Sequence, residues 1–346
     1  MKDNKKVMMV GSAEKSNGGV TTVLKILKAS PIWKKYNCYW LGTQIQGNKI
    51  RKIYYCLKSY FTALFIINKF DIIHFHTVPD ISLLVQLPVY ILALLWKKKI
   101  ILHLHVGNQI EDFKSSKLFH FCIKHSSEVL LLANLWVEKF KNLFPEYNIP
   151  CDYLYNAFQP VKAIEYSKHT KTIIFAAHLN ANKAYDILLK AFKEIHNKYP
   201  DWKLIVMGDG EITKAKNLAN QLHIEKKVLF TGYVTGDKKE KYFQEGSIFC
   251  LCSYKEGFPM VVMEAWAYGI PVITTPVGGL PEVIKENVNA ITFQFGNVQE
   301  LSEKLEYLIK NPQKRFEISS YSQKFVSQFF SIESISQKLD SIYQNI

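Results

Sequence analysis

The sequence predicts an α/β protein made of two doubly wound domains, each with a parallel sheet, facing a central cleft. Strand-like apolar runs alternate with amphipathic helical segments, which is typical of parallel sheets with crossover helices. The 346 residues are too many for one ordinary core and suit two such domains. Glycine-rich turns follow several strands, and ligands of such sheets bind at the carboxyl ends of strands.

The first domain is predicted to cover residues 1–160. Its strands are short apolar runs, and its helices repeat apolar residues at three- and four-residue spacing. In chain order we predict a strand at Lys6–Val10, a helix at Gly18–Lys28, a strand at Asp71–His76, a helix at Ile81–Trp96, strands at Ile100–His105 and Val129–Ala133, a helix at Asn134–Leu143 and a strand at Cys151–Tyr155.

Polar residues from about Lys162 to Lys171 resemble a linker, after which the pattern restarts in a second domain at 161–327. The predicted strands are Thr172–Ala176, Trp202–Met207, Val228–Thr231, Ile248–Cys252 and Pro271–Thr274. The predicted helices are Tyr185–Tyr199, Ile212–Leu222, Val261–Tyr268, one beginning at Gly279–Ile284, Val298–Lys310 and the helical region Pro312–Gln344.

Basic residues are concentrated in the first half of the chain. Residues 1–160 contain 21 Lys and Arg against 10 Asp and Glu, whereas the remainder contains 23 against 20. Such a half attracts an anionic partner, although a solvated lysine-rich surface also fits. We predict an acidic lipid surface and no nucleic acid, because no nucleic-acid recognition module is present. The six cysteines form no C-x-x-C pair and indicate reduced core residues of a cytosolic protein.

The longest apolar stretch runs from Ile81 to Trp96 and contains Pro88. It is shorter than the roughly 20 residues that span a bilayer, so we predict a buried helix. The first apolar run, Val7–Val10, is only as long as a strand, and we expect no signal peptide.

The most specific stretch is Glu256-Gly257-Phe258-Pro259-Met260-Val261-Val262-Met263-Glu264-Ala265. Pro259 suits the first turn of a helix, so backbone N–H groups between Gly257 and Val261 would point at an anionic ligand. Even in a continuous helix the two carboxylates would be ~12 Å apart along the axis. They would contact different ends of a long ligand and are not an acid–base pair on one bond. Solvated glutamates are the alternative.

Glu256 to Glu264 matches the E-x7-E signature of retaining family 4 glycosyltransferases, which have the GT-B fold of two Rossmann-like domains. The segments 265–273 and 278–282 resemble the family's continuation, and the resemblance is strongest from Phe175 to Glu282. It implies that Glu264 holds the nucleotide's ribose, and that Glu256 and the backbone from Gly257 to Met260 hold the donor sugar and phosphates. It also implies that the first domain takes the acceptor and that a final helix, at about 328–346, returns to it.

The segment Phe175–Asp186 lies where the family carries an Arg and then a Lys-Gly pair. Lys183 keeps the Lys and is predicted to pair with the donor diphosphate as a point charge. The Arg position holds His178 and the Gly position holds Ala184. The diphosphate would then depend on Lys183, backbone amides, a protonated His178 or another lysine. This departure leaves open a weak or inactive homologue that binds sugars or partners.

Three other turns match family loops. Gly18-Gly19 precedes a helix and resembles the glycine-rich loop that faces the donor, although a lone pair of glycines is more often a turn. Gly208-Asp209-Gly210-Glu211 resembles a loop near the nucleotide, and Thr231-Gly232-Tyr233-Val234 resembles the segment whose backbone reads the base. Ordinary turns fit the last two equally well. Asn156 is predicted to be structural.

Histidines occur as His74-x-His76 and His103-x-His105, and residues two apart share a face of a strand. Four histidines could indicate zinc, but this spacing without nearby cysteines or carboxylates is poor for a metal. We therefore predict core or supporting residues and no metal. His105 is the exception, because it lies where the family places a cleft histidine near the transferred sugar. The sequence has no D-x-D motif, so no metal cofactor is expected.

The segment Lys49–Phe70 is basic at one end and rich in aromatic and aliphatic residues throughout. This composition is typical of an amphipathic helix on an anionic lipid surface. An ordinary packed helix with a lysine rim fits equally well, and the nearby Trp33-Lys34-Lys35-Tyr36 slightly favours the membrane.

Together these features predict a retaining, metal-independent glycosyltransferase of polysaccharide biosynthesis, peripheral at the cytoplasmic face of the cell membrane. The expected donor is a nucleoside-diphosphate sugar, with UDP favoured, and the expected acceptor is a lipid-linked glycan in capsule, exopolysaccharide or O-antigen synthesis. Glu256, Lys183 and His105 are the predicted catalytic residues. A dehydrogenase is excluded because no G-x-G-x-x-G follows Val10.

Overall fold

The computed structural model describes residues 5–158, 161 and 170–346. The chain divides into one unit of Met1–Gln159 with Phe330–Ile346 and a second unit of Pro160–Phe329. Apart from its last two residues, Thr170 and Lys171, the predicted linker lies outside the described residues.

The first unit contains a six-stranded sheet in which all neighbouring strands are parallel, with the order β2-β1-β3-β4-β5-β6. Its strands are β1 (Val7–Ser12), β2 (Tyr39–Gln44), β3 (Ile72–Thr77), β4 (Lys99–Leu104), β5 (Glu128–Leu131) and β6 (Cys151–Tyr153). The sequence did not predict β2. It is an edge strand with an exposed first residue and half-buried positions, so it lacks the continuous apolar run of the central strands.

Six helices accompany this sheet before the chain enters the second unit. They are α1 (Gly19–Lys28), α2 (Pro31–Lys35), α3 (Lys49–Ile66), α4 (Ile81–Leu95), α5 (Lys117–His125) and α6 (Asn134–Leu143). Asn48, Asp80 and Ser116 accept backbone N–H bonds at the starts of α3, α4 and α5, respectively.

The predicted helix at Ile81–Trp96 is present as α4, Ile81–Leu95, but the prediction that it is buried holds for one side only. One side of α4 is buried through Leu83, Val89 and Tyr90, but Ile81 is 74% exposed and Leu95 is 72% exposed. A helix that is apolar on every side can cover a sheet with only one of its faces. Among the described residues, no helix is both long and apolar enough to cross a bilayer.

The second unit contains another parallel sheet of six strands, in the order β12-β11-β10-β7-β8-β9. The strands are β7 (Thr172–Ala176), β8 (Lys203–Met207), β9 (Val228–Gly232), β10 (Ile248–Leu251), β11 (Val272–Thr274) and β12 (Ala290–Thr292). The helices are α7 (Tyr185–Lys198), α8 (Ile212–Gln221), α9 (Gly236–Gln244), α10 (Met260–Ala267), α11 (Val298–Lys310) and α12 (Pro312–Phe329). The core packs on both sides of β7 and β10, whose residues are almost completely buried.

Two helical predictions are corrected in this part of the chain. The helical region Pro312–Gln344 is broken after Phe329, and a further helix, α13 (Ile332–Asn345), begins where the Ser331 hydroxyl accepts the Ser334 N–H at 3.2 Å. The helix expected to begin at Gly279–Ile284 is only a 3-10 turn, Leu280–Glu282, after which the Asn289 side chain accepts the N–H of Lys285 at 2.7 Å. The sequence did not predict α9 or β12.

The last helix, α13, belongs to the first unit. The Tyr36 hydroxyl donates to the Asp340 carboxylate at 2.7 Å, and the Tyr343 hydroxyl lies 2.7 Å from Nδ1 of His74. Helix α13 therefore ties the end of the chain to β3 and to the residue after α2.

Candidate functional site

The predicted donor-binding residues of the second unit lie at one edge of its sheet. His178 and Lys183 follow β7, Gly208 follows β8, Tyr233 and Val234 follow β9, and Glu256, Gly257–Val261 and Glu264 follow β10. Strands β10, β7, β8 and β9 are consecutive neighbours and all parallel. Their carboxyl ends therefore meet at the same edge, where α/β sheets bind ligands.

The closest contact in this group joins Lys183 to Glu256. Their side chains form an ion pair across a separation of 73 residues, with 22% and 11% of the side chains exposed. The Ser253 hydroxyl also donates to Glu256 Oε1, at 2.6 Å. An ion pair that is mostly shielded from water is stronger than one on the surface. The site thus holds one cation and one carboxylate in fixed positions.

Asn182 fixes the loop that carries Lys183 on the loop that carries Glu256. Its amide Nδ2 donates to the carbonyl of Lys255 at 2.9 Å, and its Oδ1 accepts the N–H of Lys255 at 3.0 Å. Its own carbonyl accepts the N–H of Tyr254 at 2.7 Å. Three hydrogen bonds from one residue hold the two loops together, so the ion pair does not depend on the two long side chains alone.

Ala184 has a left-handed backbone between the 3-10 turn Ala181–Lys183 and α7. Its φ is 45° and its ψ is 46°, and it is 3% exposed. This conformation costs an L-residue roughly 1–2 kcal/mol. Glycine adopts this backbone without that cost, which explains why the family that the sequence resembles has glycine at this position. This chain has the same left-handed turn with alanine.

The start of α10 lies beside the ion pair. Helix α10 begins at Met260, Phe258 and Pro259 are buried, and Val261 is half-buried. The carbonyl of Gly257 accepts the N–H of Gly279 at 2.8 Å. Gly278 has φ +67°, and a Cβ there would lie 2.8 Å from the Gly257 carbonyl, so this close approach requires glycine.

Glu264 is bound by a lysine that sequence reasoning missed. Lys239 Nζ lies 2.8 and 2.7 Å from the two carboxylate oxygens of Glu264. Lys239 belongs to α9, in the charged run Asp237-Lys238-Lys239-Glu240, whose pattern does not distinguish it from its solvated neighbours. Partial burial and the carboxylates of Asp209 and Glu264 raise the pKa of the Tyr233 phenol.

The loops after β7 and β8 are also joined. His178 Nδ1 lies 2.6 Å from Asp209 Oδ1, and both side chains are largely exposed. Gly208 has φ +147°, and a Cβ there would lie 1.8 Å from the carbonyl of Ala177, so no other residue fits. The Gly208 N–H donates to the Gly232 carbonyl at 2.9 Å, which links the loops after β8 and β9.

The other predicted site residues belong to the first unit. Gly18 has φ +131° and precedes α1, and a Cβ on Gly18 or Gly19 would meet no atom within 4 Å. His105 is half-buried, follows β4, and has Nε2 3.0 Å from Nδ1 of His76. Burial lowers the pKa of His105 to about 4, so its imidazole is neutral near pH 7. Asn156 is 4% exposed.

Comparison with known proteins gives matches concentrated in the second unit. Residues 161–325 match the family model described as glycosyl transferases group 1. A Haemophilus influenzae protein described as an uncharacterized glycosyltransferase is 34% identical over 210 residues, which are 60% of this chain and 57% of that protein. The N-acetyl-alpha-D-glucosaminyl L-malate synthase of Bacillus anthracis is 29% identical over 181 residues, 52% of this chain and 47% of that protein. The chain thus matches only about half the length of these two relatives.

Solved structures resemble the chain over nearly its whole length. HepE from Anabaena, in complex with UDP-glucose, has a TM-score of 0.78 and 19% identity, and the match covers 99% of this chain and 100% of that one. Sucrose-phosphate synthase from Thermosynechococcus elongatus has a TM-score of 0.79 and 12% identity, with 99% of both chains covered. These likenesses concern the fold, and they confirm two Rossmann-like α/β domains of the GT-B type.

Proposed function

Residues 161–325 form a domain of the glycosyl transferases group 1 family, and from this premise we propose that the chain transfers a sugar from a nucleoside-diphosphate sugar. The observation that carries the proposal is the Lys183–Glu256 ion pair beside the start of α10. A helix start and a fixed ammonium group favour a diphosphate, and a carboxylate accepts sugar hydroxyls. We favour a UDP-sugar, because HepE was solved with UDP and UDP-glucose.

Each residue of the site then has a separate role. Lys183 and the backbone at the start of α10 stabilise the negative charge that grows on the diphosphate as the glycosidic bond breaks. Glu256 orients the sugar, and Glu264 accepts bonds from the ribose hydroxyls. Gly208, Tyr233 and Val234 border the nucleotide. His105 orients the sugar or the acceptor hydroxyl.

We propose that transfer proceeds with retention and without a metal at the diphosphate. The acceptor hydroxyl attacks from the side that the diphosphate leaves, and a diphosphate oxygen takes its proton. Lys183 supplies the positive charge that a divalent ion would otherwise supply. No protein nucleophile takes part in this scheme, and its catalysis rests on positioning and electrostatic stabilisation.

A donor screen tests the activity. The melting temperature of the purified protein is measured with UDP-, GDP-, ADP- and CMP-sugars. Release of free nucleotide is then measured with the donor that raises the melting temperature. We expect a higher melting temperature with one nucleotide class and slow donor hydrolysis. Absence of both effects for every donor would contradict the proposal.

A second candidate is a sugar-binding homologue with little catalytic activity. The observation that favours it is the exposed His178–Asp209 pair, since the position of the family's arginine holds an imidazole already bound to a carboxylate. This candidate predicts the melting shift without any hydrolysis or transfer.

We also propose that the first unit docks on an anionic membrane and acts on a lipid-linked glycan, in capsule, exopolysaccharide or O-antigen synthesis. The apolar side of α3 faces outward. Its exposed side chains are Ile50, Ile53, Tyr54, Leu57, Phe61, Leu64 and Phe65, whereas Ser59 and Ala63 are its buried residues. At 3.6 residues per turn the seven exposed side chains occupy an arc of ~120°. A soluble helix normally presents the opposite arrangement.

Adjacent α4 contributes a second exposed apolar set, and the segment that contains α3 is strongly basic. Ile81, Leu84, Ile91, Leu95 and Trp96 are exposed on α4 or at its end. From Lys15 to Phe70 the sequence has ten Lys or Arg and no Asp or Glu. Apolar side chains with a basic rim suit the interface of an anionic bilayer, where each basic residue near the surface adds ~1 kcal/mol.

A depression beside α3 is a candidate place for the acceptor. It lies between the loop after β1, strand β2 and α3, and its walls include Lys15, Trp40, Tyr55 and Lys58. Lysines suit a phosphate, and aromatic rings suit the apolar face of a sugar. A lipid-linked glycan held at the membrane by its lipid would reach this depression without leaving the bilayer surface.

A further inference from the structure

Four histidines form a group on one face of the first sheet. In the register of β3 and β4, His76 pairs with His103, and His74 lies two residues earlier on the same face. The ring centroids of His74 and His76 are 4.3 Å apart, and those of His76 and His103 are 4.9 Å apart. The parallel pairing of the two strands therefore brings together imidazoles that lie far apart in sequence.

Four ring nitrogens of His74, His76 and His103 have no hydrogen-bond partner in the part of the chain that the structure describes. His74, His76 and His103 are at most 1% exposed. Nε2 of His74, Nε2 of His76 and both ring nitrogens of His103 lack a hydrogen bond. Buried polar atoms are almost always paired. Because a neutral His103 keeps a proton on one of its two nitrogens, the three rings offer three unpaired lone pairs, which favour a ligand that accepts electron pairs.

The remaining nitrogens are held in the way that metal-binding histidines require. Nδ1 of His74 lies 2.7 Å from the Tyr343 hydroxyl, and Nδ1 of His76 lies 3.0 Å from Nε2 of His105. With the protons on Nδ1, His74 donates to Tyr343 and His76 donates to His105, and both Nε2 lone pairs are free. Such outer hydrogen bonds fix the tautomer and orientation of metal ligands.

We propose that His74, His76 and His103 bind one Zn²⁺ ion. One nitrogen of each residue lies within 4.8 Å of the others. Tetrahedral zinc, with Zn–N bonds of ~2.1 Å, requires nitrogens ~3.4 Å apart, so the proposal requires the three rings to move closer together when the ion binds. The H-x-H spacing alone did not predict this site, because the third ligand comes from the neighbouring strand. A water molecule completes the coordination.

The ion has a structural role that is separate from sugar transfer. It joins β3 to β4 and, through Tyr343, joins both strands to α13. The residues proposed to bind the diphosphate belong to the second unit, and the zinc ligands belong to the first. The proposed transfer therefore remains free of a metal at the diphosphate, and the zinc site is tested without measuring activity.

The experiment uses full-length protein without a polyhistidine tag, expressed with added Zn²⁺ and dialysed into metal-free buffer. We expect roughly one zinc ion per chain by mass spectrometry and a higher melting temperature with Zn²⁺ than after chelation. Replacement by Co²⁺ should give the visible absorption of a four-coordinate ion. Substoichiometric zinc at background level, with no Co²⁺ absorption and no melting shift, would overturn the proposal.

Variants locate the ion. His103→Gln should abolish the Co²⁺ absorption, whereas His125→Gln, at an exposed histidine of α5, should leave it unchanged. Tyr343→Phe keeps all three ligands and should weaken zinc affinity ~10–100-fold at unchanged stoichiometry. If His103→Gln does not fold, the zinc affinity of Tyr343→Phe tests the assignment instead. Unchanged zinc affinity in folded His103→Gln, or in Tyr343→Phe if His103→Gln does not fold, would refute the assignment.

Discussion

Lys239 binds both carboxylate oxygens of Glu264, with its Nζ 2.8 Å from one and 2.7 Å from the other. The two side chains are 32% and 18% exposed. The carboxylate proposed to hold the ribose is therefore neutralised and oriented by a lysine from a different helix. Each oxygen has a further lone pair for a hydroxyl, so Lys239 can stay in place when the donor binds.

Glu264→Ala should weaken donor binding by about 1.5–3 kcal/mol, because the ribose loses a charged hydrogen-bond acceptor. Lys239→Ala should cost less, since Glu264 keeps its charge but loses its orientation. Calorimetric titration with the donor found in the screen gives both values. Wild-type affinity in Glu264→Ala would remove this residue from the site.

Lys183→Ala should reduce turnover more than donor affinity, because charge accumulates on the diphosphate as the bond breaks. A loss of roughly 100-fold in kcat is expected for one preorganised donor of this kind. Lys190→Ala is the matched control, since Lys190 is an exposed lysine of α7 that pairs with Asp186 one turn earlier in the same helix. An equal effect of the two variants on kcat would show that Lys183 has no special role.

Metal independence at the diphosphate predicts that brief EDTA treatment leaves the initial rate unchanged and that added Mg²⁺ or Mn²⁺ does not raise it. Rates measured before and after treatment test this. Loss of activity that Mg²⁺ or Mn²⁺ restores would contradict the metal-free scheme. Restoration by Zn²⁺ alone would instead point to the histidine site.

Ala184→Gly should stabilise the protein by about 0.5–1 kcal/mol, because glycine adopts the left-handed backbone without steric cost. The greater conformational freedom of glycine in the unfolded chain offsets only part of this gain. The control is Ala191→Gly within α7, where glycine should destabilise the helix by about 1 kcal/mol or more. Thermal melts of both variants measure the difference. Destabilisation by both would show that the φ of 45° at Ala184 carries no strain.

Membrane docking predicts that binding to anionic vesicles falls with salt and that a salt-insensitive part remains from apolar insertion. Charge reversal on α3 should release the protein from the vesicles and leave donor affinity intact. The four changes are Lys49→Glu, Arg51→Glu, Lys52→Glu and Lys58→Glu. The measurement is co-sedimentation with neutral and anionic vesicles at low and high salt.

The matched control makes the same change in net charge on the second unit. It reverses four exposed lysines there, Lys190, Lys216, Lys226 and Lys324. This control should still bind anionic vesicles. Negligible and equal binding of the unchanged protein to neutral and anionic vesicles at low salt would contradict the membrane proposal and weaken the case for a lipid-linked acceptor.

The fold could be predicted because a central parallel strand must be a short apolar run, as in Ile72–Thr77 and Thr172–Ala176. The edge strand β2 and the polar helix α9 were not predicted, because both are only partly buried and lack a continuous apolar pattern. The burial of α4 was misjudged for the opposite reason. Its residues are apolar on every side, so the sequence does not tell which side faces the sheet.

Within the site, Lys183, Glu256 and Glu264 were recognised as members of motifs, but their partners were not. Lys239 contacts Glu264 from α9, a helix that the sequence did not predict. Ser253 contacts Glu256 from three residues earlier in the same loop, and a serine in a loop does not by itself indicate such a bond. The proposed zinc site of the histidine group was also not predicted from the sequence. Whether His76 and His103 are neighbours depends on the register of β3 and β4, which appears only when the sheet is assembled.

The three hydrogen bonds of Asn182 have a consequence for engineering. Residues 180–184 and 253–257 behave as one module, although one motif begins 73 residues before the other. A chimera that takes only one of these segments from a relative would lose the match between the Asn182 amide and the backbone of residues 254 and 255. Exchange of donor preference between relatives should therefore succeed when both segments are transplanted together, and fail when either is moved alone.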